Sequence, residues 1–297
     1  MRRFALLPAR HPSTRAITLS LLLVLALAVS GCANTAGPRH VGRYAISEQY
    51  AAQSQDSRVQ YIVLHYTETD FAKSLDILTR GPVSSHYLVD ANPPRIYRLV
   101  PEDRRAWHAG KSSWQRQNGL NAASIGIEIV NDGNRGHLDG PFAPWDSAQI
   151  DAVVALVKDL AARHGVQPHH IVGHSDIAPQ RKQDPGAAFP WQQLVAAGLV
   201  PWPEEAQVAT AQARFSDAVP SVAWFQEKLA VHGFEVPRNG ELDDATRRVI
   251  ISFQMKYRPA RWDGEPDAAT AALLAVVTTP GGLRLLRDGQ WQVYQPQ

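Results

Sequence analysis

The run Asp146-Ser-Ala-Gln149-Ile150-Asp-Ala-Val153-Val154-Ala-Leu-Val157-Lys-Asp-Leu160-Ala161-Ala-Arg-His164-Gly165, followed shortly by Ile171-Val172-Gly173-His174, holds two structural periods side by side. Ile150, Val153, Val154, Val157, Leu160 and Ala161 recur at helical spacing and give one apolar stripe. Asp146 with Gln149 has the pattern of a capping box, and Gly165 supplies a stop. Ile171-Val172-Gly173 is too short for a helix and reads as a strand that delivers His174. A helix followed by a buried strand points to an α/β layer structure.

Outward from this run the same alternation continues. Tyr61-Ile-Val-Leu-His65 is a short, β-branched, buried strand, and Ile125-Gly-Ile-Glu-Ile-Val130 is another. Asp70–Arg80 is a helix closed by Gly81-Pro82. His86–Val89 and Ile96–Val100 read as strands joined through Asn92-Pro-Pro94. The fold class is therefore α/β, with a mixed central sheet flanked by helices over residues 46–205.

Downstream, the polar, alanine-rich residues 206–219 read as a linker, and residues 220–278 as a small three-helix domain. That domain carries an internal repeat. Asn239-Gly-Glu-Leu-Asp-Asp-Ala-Thr246 returns as Asp263-Gly-Glu-Pro-Asp-Ala-Ala-Thr270, a turn followed by an acidic helix start. Residues 279–297 read as a tail without an interpretable signal.

The N-terminus has a different character. Arg2, Arg3, Arg10 and Arg15 precede the apolar run Leu21–Ala28, the pattern of a secretory signal over residues 1–31. That uninterrupted run is short for a span of roughly 20 residues. Val29-Ser-Gly-Cys32 resembles a bacterial lipobox, which implies lipidation of Cys32, and residues 32–45 read as a tether. Ala33 and Asn34 follow the cysteine instead of an aspartate, so the resemblance implies a lipid anchor in the outer membrane, facing the periplasm. Cys32 is the only cysteine, so no internal disulfide can form. A net charge of +2 on 297 residues argues against a nucleic-acid partner.

Chemistry concentrates in a few side chains. His174 and Asp184 share the irregular segment His174-Ser-Asp-Ile-Ala-Pro-Gln-Arg-Lys182-Gln-Asp184, and His65 ends a strand far upstream. Two imidazoles and one carboxylate are a ligand set for a catalytic zinc with one position open. The competing reading is a pair of ordinary core histidines, and the spacing alone leaves both open. Glu128 lies within an apolar strand, opposite in face to Ile127 and Ile129. It is either a solvent-facing charge or a general base beside the metal. Lys182 is either a solvated loop lysine or a cation that stabilises an oxyanion.

Several motifs in order then match a family. Val63-Leu-His65-Tyr-Thr67, Val83-Ser-Ser-His86-Tyr87, Ala106-Trp-His108-Ala-Gly110, Ser124-Ile-Gly-Ile-Glu128, Val172-Gly-His174-Ser-Asp-Ile177 and Lys182-Gln-Asp184-Pro-Gly186 resemble the type 2 N-acetylmuramoyl-L-alanine amidases. These zinc enzymes are related to phage lysozyme-like amidases and to peptidoglycan recognition proteins. The resemblance covers about residues 46–200. It implies that His65, His174 and Asp184 bind zinc, that Glu128 acts as acid–base, that Lys182 stabilises the oxyanion, and that His86 and His108 contact substrate. The helical domain resembles a peptidoglycan-binding module through Trp224-Phe-Gln-Glu-Lys-Leu229 and the repeated turn. Together these imply a monomeric, lipid-anchored enzyme that cuts the amide between N-acetylmuramic acid and L-alanine in peptidoglycan or muropeptides. A non-catalytic recognition protein on the same fold would typically lack part of the ligand set; a zinc peptidase on stem-peptide bonds is the third reading.

Overall fold

The computed structural model describes residues 39–137 and 140–296. The signal segment and Cys32 lie outside the described residues. Of the preceding unit, His40–Val41 and Tyr44–Ala45 form a small exposed antiparallel pair. Residues 56–297 form a compact unit of their own.

Its centre is a five-stranded mixed sheet. β1 (Tyr61–Tyr66), β2 (Tyr87–Ala91), β3 (Pro94–Arg98), β4 (Ser124–Ile129) and β5 (Ile171–Gly173) lie in the order β3-β2-β4-β1-β5. β4 and β5 flank β1 in parallel, β2 is parallel to β4, and β3 closes the edge antiparallel to β2. β1 is buried along nearly all its length, as a central parallel strand must be.

The two faces of the sheet are covered differently. Ile62, Leu64, Ile125, Ile127 and Ile129 pack with Ile150, Val153, Val157 and Leu160 of α2 (Ser147–His164). α1 (Phe71–Arg80) precedes β2, and its N-cap Asp70 accepts from the Lys73 amide as its sequence suggests. Asp146 caps α2 by accepting from the Gln149 amide, and Gly165 ends it at φ 70°. The capping box is incomplete, however. The Gln149 side chain instead donates to the Val89 and Val130 carbonyls, binding the helix to the middle of β2 and to the residue after β4.

On the opposite face, Tyr61, Val63 and Val172 belong to one apolar cluster with Phe225, Leu229, Val249 and Phe253. These last four come from α6 (Val222–His232) and α7 (Asp244–Tyr257), which form the three-helix unit with α8 (Ala268–Val277). The helical unit therefore completes the sheet's core. Between the sheet and this unit come the short helices α3 (His174–Ile177) and α4 (Trp191–Ala196), then α5 (Glu205–Asp217). The segment read as a linker is mostly α5. Its alanines favour a helix, and Val208, Ala211 and Phe215 join the same core, against α8. The tail is also ordered structure. β6 (Leu283–Arg287) and β7 (Gln290–Tyr294) make a hairpin, and β6 pairs with Trp202–Pro203. Asp288 and Gly289 turn it at φ 51° and 74°, which the Asp-Gly pair accommodates.

The internal repeat is a structural device. Gln226 is buried, and its amide nitrogen lies within hydrogen-bond distance of Asn239 Oδ1, Glu241 O and Thr246 Oγ1 while its oxygen accepts from the Gly240 amide. Gln254 does the same in the second copy, with Glu265 O, Thr270 Oγ1 and the Gly264 amide. Asp243 and Asp267 cap the following helices.

Candidate active site

The carboxyl ends of β1, β4 and β5 open at one end of the sheet, where parallel α/β sheets place ligands. His65 is near the end of β1, Glu128 is its register partner on β4, and His174 follows β5 directly. Register partners on neighbouring strands share a face, so Glu128 stands beside His65. The loop after α3 brings Asp184 back, and its carbonyl accepts from the Ser175 amide at 2.8 Å.

Three side-chain atoms converge there. His65 Nδ1 lies 2.9 Å from His174 Nδ1 and 2.9 Å from Asp184 Oδ2, and His174 Nδ1 lies 3.0 Å from the same oxygen. All three residues are at least 95% buried. This is a cluster that could hold a metal ion. Two nitrogens and a carboxylate oxygen suit a zinc-type site.

The electrostatics agree with the geometry. Burial and the neighbouring His174 lower the His65 pKa to about 4, which keeps the ring neutral and able to ligate. Burial pushes Asp184 up, but the adjacent His174 and His65 outweigh it and hold the carboxylate well below its usual range. Burial, then the Asp184 charge, raises Glu128 well above the ordinary carboxylate value. Lys182 is exposed, and its positive charge acts on both His65 and Glu128.

The profile of the N-acetylmuramoyl-L-alanine amidase family matches residues 55–187. AmiD of Escherichia coli, an N-acetylmuramoyl-L-alanine amidase, is 43% identical over 85% of this chain and 94% of its own. The chain belongs to the N-acetylmuramoyl-L-alanine amidase family. It is an amidase, and the profile of a peptidoglycan binding domain matches residues 219–274. The structure of AmiD with the substrate anhydro-N-acetylmuramic acid-L-Ala-D-gamma-Glu-L-Lys superposes with a TM-score of 0.71 at 41% identity, covering 80% of this amidase and 96% of that chain. AmpDh3 of Pseudomonas aeruginosa gives 0.73 at 37% identity, with coverage of 78% and 96%.

Two histidines expected from the family resemblance to contact substrate, His86 and His108, lie beneath the surface. His86 is fully buried. Its Nδ1 accepts from the Gly126 amide at 3.1 Å and its Nε2 lies 3.0 Å from the Arg104 carbonyl. Both ring nitrogens are engaged with backbone, so His86 ties β4 to the loop after β3. Burial lowers its pKa to about 4. His108 is also buried, under the ligands, with Nδ1 3.0 Å from His65 Nε2 and Nε2 3.0 Å from Ser124 Oγ.

Three further residues at the site have no sequence signal of their own. Asn121 Oδ1 accepts from the His108 and Ala109 amides at 3.0 and 2.7 Å. Arg181 donates to the Ala109 and Lys111 carbonyls. Lys256, from α7, meets Asp176 at 2.8 Å in a buried pair directly after His174, and Asp176 also accepts from the Gly173 amide.

Proposed function

We propose that this amidase is zinc-dependent and hydrolyses the amide between N-acetylmuramic acid and L-alanine in peptidoglycan and muropeptides, in cell-wall turnover or recycling. The observation that carries this is the meeting of His65 Nδ1, His174 Nδ1 and Asp184 Oδ2 within 2.9–3.0 Å. These three residues would hold the ion. A zinc ion held there would supply Lewis acidity for the scissile carbonyl and would lower the pKa of a water toward neutral. Glu128, with its raised pKa, takes a proton from the attacking water and returns it to the departing alanine nitrogen. Lys182 places positive charge where the carbonyl oxygen becomes negative. Water is thereby split between the two products, its hydroxyl on the muramyl carbonyl carbon and its hydrogen on the amine.

The complexes of AmiD with an anhydromuramyl tripeptide and of AmpDh3 with an anhydromuramic pentapeptide support soluble anhydromuropeptides as substrates beside the polymer. Mass spectrometry of digests from defined muropeptides tests the reading. Free peptides beginning with L-alanine are expected; cleavage within the stem peptide would contradict it. We also propose that the enzyme is a monomer anchored through a lipid on Cys32 to the periplasmic face of the outer membrane. Cys32→Ala should leave the membrane fraction, and continued sedimentation with membranes would exclude the anchor.

A further inference from the structure

We propose that His108 and the carbonyl of Ala109 form one positioning unit that takes the outer N–H of both histidine ligands, leaving each inner nitrogen free to bind the ion. The proposal rests on the ligand reading above and identifies what would orient those ligands.

It follows from counting hydrogens along a chain of contacts. The Ser124 hydroxyl donates to the Leu120 carbonyl at 2.6 Å, so its only hydrogen is engaged. Ser124 Oγ is then an acceptor for His108 Nε2–H, 3.0 Å away. A neutral imidazole has one N–H, so His108 Nδ1 is an acceptor. It lies 3.0 Å from His65 Nε2, which must donate. His65 Nδ1 is left as a lone pair, and this is the atom beside Asp184.

The second arm ends on the next residue. Arg181 Nη2 spends its two hydrogens on the Ala109 and Lys111 carbonyls. Its 3.2 Å approach to His174 Nε2 is therefore not a donation. His174 Nε2 instead donates to the Ala109 carbonyl at 3.2 Å, which frees His174 Nδ1. Asn121 holds the dipeptide in place through both of its amides.

The sheet is shaped to admit this unit. A Cβ on Gly126 would come 2.4 Å from His108 Cγ, so only glycine in β4 leaves room for the ring. Within the motif Ala106–Gly110, His108 and Ala109 thus act beneath the metal site, through other residues.

The test uses the full chain and zinc alone, with affinity read by chelator competition. His108→Phe keeps the ring volume but removes the acceptor, and should weaken zinc binding roughly 10–100-fold. His108→Asn offers an oxygen near the former Nδ1 and should recover most of the loss. In the zinc-loaded parent labelled with 15N-histidine, a scalar coupling across His65 Nε2–H···Nδ1 His108 is expected. Parent-like zinc affinity in His108→Phe would overturn the proposal, as would a hydrogen on His108 Nδ1. If His108→Phe does not fold, the labelled parent still decides. His65→Ala separates the two claims: if it loses zinc while His108→Phe does not, only the positioning role fails. If His65→Ala keeps full zinc, the ligand reading itself fails.

Discussion

Buried polar groups gather in two places in this amidase, and they are arranged in opposite ways. In the helical unit, Gln226 and Gln254 find complementary partners on both ends of their amides. At the end of the sheet, His65 Nδ1, His174 Nδ1 and Asp184 Oδ2 crowd together, and with the tautomers proposed above they present three lone pairs to one point. The first arrangement closes on itself and stabilises a loop. The second is open to a cation, which would bind all three of its members at once. Convergence of like polarity, more than burial or residue type, is what separates a functional cluster from a structural one here.

The sharpest break in the comparison comes from removing a ligand. His174→Ala or Asp184→Ala should lose both zinc and turnover, because each removes one of three protein ligands. Elemental analysis of the purified variants checks this, and full zinc in either would make the cluster merely structural. Glu128→Ala should keep zinc and fold but lose about 10²–10⁴-fold in kcat. Near-parent kcat would point to another acid–base group.

A fourth variant tests where the two regions touch. Lys256→Ala leaves Asp176 buried without its cation and should cost about 3–5 kcal/mol in chemical denaturation. The helical unit also covers Tyr61, Val63 and Val172, so removing residues 215–297 should unfold the catalytic part instead of leaving a simpler enzyme. A truncated chain melting like the parent would refute the shared core. The smallest effect belongs to the self-satisfied cluster. Gln254→Ala strands the Gly264 amide and should cost about 1–3 kcal/mol while zinc content stays unchanged. A loss of zinc in that variant would blur the distinction.

Much of this was legible in the sequence, for identifiable reasons. His65, Glu128 and His174 stand at strand ends whose apolar runs announce themselves, and Asp184 lies in a recognisable motif. α5 was masked by its polarity: alanine-rich helices show little stripe, and its apolar contacts are with α8, far along the chain. The hairpin hung on Asp288-Gly289, a short signal between strands of mixed polarity. The contacts of His86 and His108 could not be read from sequence, because their partners are backbone atoms and residues brought together only by the sheet. No spacing rule announces that Asn121 will hold His108, or that Lys256 will cross from α7 to Asp176.

The most direct test of the central claim is to strip metal from the full chain, add zinc in fractions of an equivalent, and follow release of L-alanine-terminated peptide from an anhydromuropeptide. Turnover should rise in proportion to zinc and level off at one ion per chain, and the same additions should do nothing for Asp184→Ala. Full turnover in the stripped enzyme, or equal rescue of Asp184→Ala, would contradict a zinc site built from His65, His174 and Asp184.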